Sequence, residues 1–118
     1  MKVLIVEPWK DPYVKDIDGK LETLQKIVGG YIEVVYPHDD ESCIICNEDG
    51  KFLELDYNRE IRDKQGKLLD IIVGTFIVRN APKDSEDFES LTDEQVAFYK
   101  NKYILPSFCF TVAVTDIM

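Results

Sequence analysis

At 118 residues, 45% hydrophobic and 31% charged, the chain has the size and composition of one globular domain, which excludes a disordered or fibrous protein. Its net charge of −9, from 23 acidic against 14 basic side chains, disfavours direct nucleic-acid binding, where clustered Lys and Arg must neutralise phosphates. No apolar run approaches the ~20 residues that span a bilayer.

The first strand is expected over Lys2–Glu7, where the unbroken apolar run Val3–Val6 implies burial on both faces. Pro8-Trp-Lys-Asp-Pro12 is a turn with proline at each end, and Tyr13–Ile17 returns as a hairpin partner. Asp18 is placed to cap a helix that begins at Leu21. Leu21, Leu24 and Val28 share one face with Ile27 beside them, and Gly29 suits the left-handed position that closes the helix.

A strand follows over Tyr31–Tyr36, then a break at Pro37–Asp40 and a strand over Ser42–Asn47. Asn47-Glu-Asp-Gly50 reads as a hairpin turn with Gly50 able to take a positive φ, leading to a short strand over Lys51–Leu55. Residues 56–66 are polar and turn-rich. Leu68–Val78 reads as one long strand, interrupted by Gly74 at a bulge or a close backbone approach.

The second helix starts at Ser90 or Thr92, each with an acid or amide three residues on. Val96, Tyr99 and Tyr103 share its apolar face, Lys100 and Lys102 suit its C-terminal dipole, and Pro106 ends it. Beyond it Phe108, Phe110, Val112 and Val114 alternate with Cys109, Thr111, Ala113 and Thr115, the pattern of a further strand. That strand either joins the same sheet or pairs with a partner's edge, which would make a homodimer. The order describes an α+β domain: a mostly antiparallel sheet, two helices packed on one face of it, and a β-grasp-like N-terminal half. Residues 1–104 form the domain and 105–118 a C-terminal extension.

Charge is unevenly spread. Residues 38–49 hold five carboxylates and residues 84–94 hold six, neither stretch with a Lys or Arg; the rest of the chain carries two more bases than acids. Such stretches either are solvated loops that aid solubility or offer a docking face for a basic protein partner, with Asp84, Glu86, Asp87 and Glu89 in the first half of the second and Phe108 and Phe110 beyond it. The three cysteines, an odd number, do not make a disulfide framework, and a cytoplasmic location is expected.

Chemistry is sparsely signalled. Cys43-Ile-Ile-Cys46 has the spacing of a zinc or redox motif, but in a strand the two thiols point to opposite faces, so both are expected as small core residues. His38-Asp-Asp-Glu41 could supply a general base or hold a hard cation, although a solvated turn explains it as well. His38 is the sole histidine, which excludes any two-histidine metal motif. A Ser–His–acid triad is compatible with the sequence, though nothing singles out a nucleophile. Asn58-Arg59 pairs an amide with a guanidinium that could orient an anionic ligand; alternatively Asn58 satisfies local backbone and Arg59 pairs with Asp56, Asp63 or a nearby acid. No cofactor and no metal site is expected, and the protein reads as a non-enzyme.

Four segments together resemble one known family: Met1–Pro8, Leu24–Tyr36, Asn47–Lys51 leading to Asn58-Arg59, and Asp70–Phe76. It is a small domain-of-unknown-function family of phage, prophage and conjugative elements in Gram-positive gut bacteria, and the resemblance spans about residues 1–104. It implies a cytoplasmic accessory protein of a mobile element and assigns no catalytic residue. Gly29, Gly30, Glu33, Asn47, Glu48, Asn58, Arg59 and Gly74 match its motif positions. Of these Glu33, Asn47, Glu48, Asn58 and Arg59 are the side chains a ligand site would use. The expected function is an interaction or inhibitor module with acidic patches; the alternative is a binder that sequesters or senses a nucleotide-like ligand.

Overall fold

The computed structural model describes residues 1–82 and 89–105. Its elements run β1 (Lys2–Val6), β2 (Tyr13–Asp16), α1 (Leu21–Val28), β3 (Ile32–Val35), β4 (Ser42–Asn47), β5 (Tyr57–Arg62), β6 (Leu68–Val73), β7 (Phe76–Asn80) and α2 (Asp93–Lys102). Five strands form one sheet in the order β2-β1-β7-β4-β3, while β5 and β6 form a separate hairpin. Every pairing among these strands is antiparallel. The chain is therefore the expected α+β domain, with the hairpin, helix and further strands of its first half in the expected order.

Both faces of the sheet are covered. Val3, Ile5, Cys43, Ile45 and Ile77 pack with Leu24 and Val28 of α1. On the opposite face Leu4, Val6, Ile44, Cys46, Phe76 and Val78 pack with Ile61 and Ile72 of the hairpin and Tyr99 and Tyr103 of α2. The unbroken apolar run of β1 records this two-sided burial. It also corrects the expectation of helices on one face: α1 and α2 lie on opposite faces, because each central strand offers apolar side chains in both directions.

Three further expectations change. Lys51–Leu55 is not a strand; residues 51–54 form turns held by Leu53 N–H to Asp49 O at 2.8 Å and Leu55 N–H to Gly50 O at 3.1 Å. The positive φ falls on Glu54 (57°) instead of Gly50, where an added Cβ would meet Val73 Cγ2 at 3.1 Å. The polar segment 56–66 contains β5, whose register shifts between Tyr57 and Arg59 and again between Ile61 and Arg62. Leu68–Val78 is two strands in two sheets. Gly74, at φ 74°, turns the chain between them, and a Cβ there would lie 2.7 Å from Leu55 Cδ1.

The helix ends follow local chemistry. Thr92 Oγ1 accepts from Gln95 N–H at 3.1 Å and Gln95 Oε1 accepts from Thr92 N–H at 2.9 Å, the expected capping box. Ser90, the other predicted start, accepts the Lys2 N–H at 2.9 Å and ties the approach to α2 onto β1. The N-cap of α1 is Lys20 and not Asp18; Asp18 Oδ1 instead accepts the Lys20 N–H at 2.9 Å and so holds the approach to the helix. Gly29 closes α1 at φ 82°, donating to Gln25 O. Leu21, though expected on the apolar face, is 54% exposed. No helix among the described residues is long and apolar enough to cross a membrane.

Candidate functional site

β3, the end of β4, the turn after it and β6 enclose a cleft of about 350 Å³. Glu33, Glu48, Asp49 and Asp70 line it, with Lys51 the one basic side chain of the lining. Lys51 Nζ already lies 3.0 Å from Asp70 Oδ1, so three carboxylates face the cleft without a cation of their own among the described residues. Ile71, Ile72 and Val73 supply an apolar wall, and Phe52 stands at the rim 86% exposed. Buried Cys46 also lines the cleft and registers its field. Its thiol is pushed up to about 11 by burial, then by the charges of Glu33 and Asp70, against a smaller pull from Lys51.

Asn47 holds this end together. Its Nδ2 donates to Val28 O at 3.1 Å, at the end of α1, and its Oδ1 accepts the Asp49 N–H at 2.8 Å, which fixes the turn that carries Glu48 and Asp49. Three of the five residues expected to bind a ligand, Glu33, Asn47 and Glu48, thus converge here. Asp70, Lys51 and Phe52 join them unforeseen, because the sequence places 51–55 in a strand and 68–78 in a single one.

Asn58 and Arg59 do not line this cleft. Asn58 Nδ2 donates to Val6 O and Gly74 O, each at 2.8 Å, so it stitches the hairpin to the main sheet. Arg59, 7% exposed, sends Nε to Tyr103 O at 2.9 Å, Nη1 to Asn58 Oδ1 at 2.6 Å and Nη2 to Lys10 O at 2.6 Å. Its partners are carbonyl oxygens, neither the anionic ligand nor the Asp56 or Asp63 carboxylate that the sequence allowed. The guanidinium fastens the end of α2 and the Pro8–Pro12 turn to β5.

On the face of the sheet that carries α2, His38 sits in a hydrogen-bonded chain where a solvated turn is expected from the sequence. His38 Nδ1 lies 2.7 Å from Ser42 Oγ and Nε2 lies 2.6 Å from Tyr103 Oη. Ser42 Oγ and backbone N–H both donate to Asp40 Oδ1, at 2.5 and 2.8 Å, and Tyr99 Oη lies 2.9 Å from the same hydroxyl. Ser42 has one hydroxyl proton and the carboxylate takes it. His38 Nδ1–H therefore donates to Ser42, and Nε2 accepts from Tyr103. Burial is the main cause that holds His38 down at about 4, with Asp40 pulling the other way and Lys102 assisting. Asp40 stays below the usual carboxylate range: burial would raise it, but hydrogen bonds from Ser42, Tyr99 and Gln95 outweigh that. Burial raises both tyrosines.

Serine, histidine and aspartate do meet here, yet not in the order of a nucleophile, its base and an orienting acid. Ser42 sits between the other two, is fully buried and gives its proton to the acid. Asp39, Asp40 and Glu41 are exposed, as a solvated turn requires. The one signal for the rest was the apolar helix face Val96, Tyr99, Tyr103, whose two phenols need polar partners when buried.

Cys43 and Cys46 are both free and buried, and they belong to opposite faces of the sheet as their strand spacing demands. Among the described residues no group of three His, Cys, Asp or Glu side chains could hold a metal ion. Glu89 is exposed and forms an isolated antiparallel bridge with Asn80. Asp84, Glu86, Asp87, Phe108 and Phe110, expected to bind a partner, lie outside the described residues, as does the Pro106 stop.

The family described as "Domain of unknown function (DUF3846)" matches residues 1–104, and the chain belongs to it. No curated protein and no solved structure matches the chain.

Proposed function

We propose that this domain is a non-enzymatic interaction module that receives a basic segment of a partner protein in the Glu33–Glu48–Asp49–Asp70 cleft. The observation that carries the reading is the charge balance of that cleft: four carboxylates against one lysine already paired, beside an aromatic ring left in water. A Lys or Arg side chain entering it would meet opposite charge and an apolar wall for its methylene stem. Phe52 offers a face for cation–π contact. The His38 chain supports the same reading, since its imidazole is engaged at both nitrogens and its serine is buried.

A nucleotide-like ligand is disfavoured at this cleft, because its phosphates would face the same carboxylates and Arg59 is committed to carbonyl oxygens. In its finer form, the reading is of a cytoplasmic accessory protein of a phage or conjugative element that modulates a host or element-encoded protein. The resemblance over residues 1–104 motivates that context.

Fluorescence anisotropy with a labelled Arg/Lys-rich peptide tests the cleft. Binding should appear at low ionic strength, weaken as salt screens the charges, and disappear in the Glu33→Lys, Glu48→Lys double variant. Equal binding by wild type and double variant, or none by the wild type, would reject the cleft as the contact site.

A further inference from the structure

The five-stranded sheet ends on one side at β3, and nothing among the described residues pairs with the outer edge of that strand. Which groups the edge exposes follows from the ladder on its inner side. Glu48 N–H donates to Tyr31 O at 2.9 Å, and Ile32 stands opposite Asn47. In an antiparallel pair, residues that exchange hydrogen bonds alternate with residues that do not. Tyr31, Glu33 and Val35 are therefore the residues bonded to β4, while Ile32 and Val34 turn their N–H and C=O groups outward. Side chains alternate in the same rhythm. Val35 packs with the core beneath the hairpin and α2, and Glu33 lines the acidic cleft on that face. Ile32 packs on the α1 side, and Val34 shares its face, 38% exposed. Tyr31 and Tyr36, each 68% exposed, flank the strand.

Open edges invite another chain, and proteins blunt them with lysine, proline or a covering element. β2, at the opposite end of the sheet, carries Lys15. From Tyr31 to Tyr36 there is neither Lys nor Pro, and the one charge is Glu33. We propose that the partner's basic segment docks on this edge as an added strand, bonded through its main chain to Ile32 and Val34. Every second side chain of that strand is then a Lys or Arg beside Glu33 at the mouth of the cleft, and the others are apolar and lie beside Val34. The proposal rests on the reading of the cleft as a receptor for a basic segment. It adds the conformation of that segment, which is extended, and its pattern, which alternates basic with apolar residues. In such strand addition the main-chain bonds give affinity and the alternate side chains give specificity. Charge decides against a second copy of this chain as the occupant, since it would bring its own Glu33 and a net charge of −9 to the same edge.

A labelled peptide that alternates Lys and Val tests the docking by fluorescence anisotropy on the wild-type protein. Two further versions carry N-methyl groups, one on every Lys amide and the other on every Val amide. Only one of these two sets faces β3 in a bound strand, so one version should lose at least about tenfold in affinity while the other binds as the parent does. Equal affinities of the two methylated versions would overturn the added strand and, with the parent still bound, leave the reading of the cleft standing. A parent peptide that does not bind at low ionic strength would overturn both. Hydrogen exchange gives a second readout: the Ile32 and Val34 amides should exchange fast in the free protein and slow when the peptide saturates it. Unchanged exchange at both amides would overturn the proposal. Slow exchange without peptide that speeds up on dilution would overturn it too, by giving the edge to a second copy.

Discussion

Lowering the pH should remove stability from this protein through one side chain above all. His38 titrates near 4 in the folded state against 6.5 for the unfolded chain. Between those values the unfolded state binds more protons than the native one, so stability is full above about pH 6.5 and falls as pH drops toward 4. At 1.36 kcal/mol per unit, the difference amounts to about 3 kcal/mol, and solvent reaching the partly exposed ring trims it to roughly 2–3 kcal/mol. That is a large part of the ~5–15 kcal/mol that holds a typical domain. Asp40, whose carboxyl is held below its usual range, loses stability on acidification as well, so the measurement must be a difference. Urea unfolding of wild type and His38→Gln should be followed from pH 7.5 down to 4.5. The substituted amide cannot charge, and the variant's curve should be flatter by roughly 2–3 kcal/mol across that window. Tyr103→Phe removes the proton that Nε2 accepts, a bond only neutral imidazole can make, and should move the His38 titration toward 6.5 by NMR. Parallel pH curves for wild type and His38→Gln, or a wild-type His38 that already titrates near 6.5, would refute the assignment of a buried neutral imidazole.

Arg59→Ala strips donors from the carbonyls of Tyr103 and Lys10 and should cost at least about 3 kcal/mol in denaturant unfolding. Arg59→Lys should recover less than half, since an ammonium lacks the fork that reaches both. Gly74→Ala should cost about 1–2 kcal/mol from the left-handed φ alone. The added methyl also forces Leu55 to move, and a thermal melt that loses only a fraction of a degree would contradict the geometry.

How much of this was legible follows from where each signal sat. β1, α1 and the capping box of α2 carry their information locally, in an apolar run, a helical period and a Thr92–Gln95 pair, so the sequence places them to within a residue or two. β5 was hidden because its strand is built from polar residues, Asn58 and Arg59, whose donors are satisfied by carbonyls far along the chain at Val6, Lys10 and Tyr103. Only the fold supplies those partners. The same holds for the His38 chain, which joins residues 65 positions apart, and for the acidic cleft, where Glu33 of the expected β3 meets Asp70, whose strand the sequence merges with β7.

The charge that lines the cleft is of one sign but for Lys51. Several exposed ions elsewhere are paired: Lys2 with Asp93 at 3.0 Å, Arg62 with Glu60 at 2.8 Å, Lys64 with Asp39 at 3.2 Å. Each such pair is worth little, on the order of 0–1 kcal/mol, but together they show that oppositely charged neighbours were available to the fold. Around Glu33, Glu48 and Asp49 none is supplied among the described residues, and Phe52 beside them is uncovered. Local arrangements without an evident structural return are the ones that function tends to account for. A basic segment in that cleft would relieve both defects at once, by neutralising the carboxylates and covering the ring.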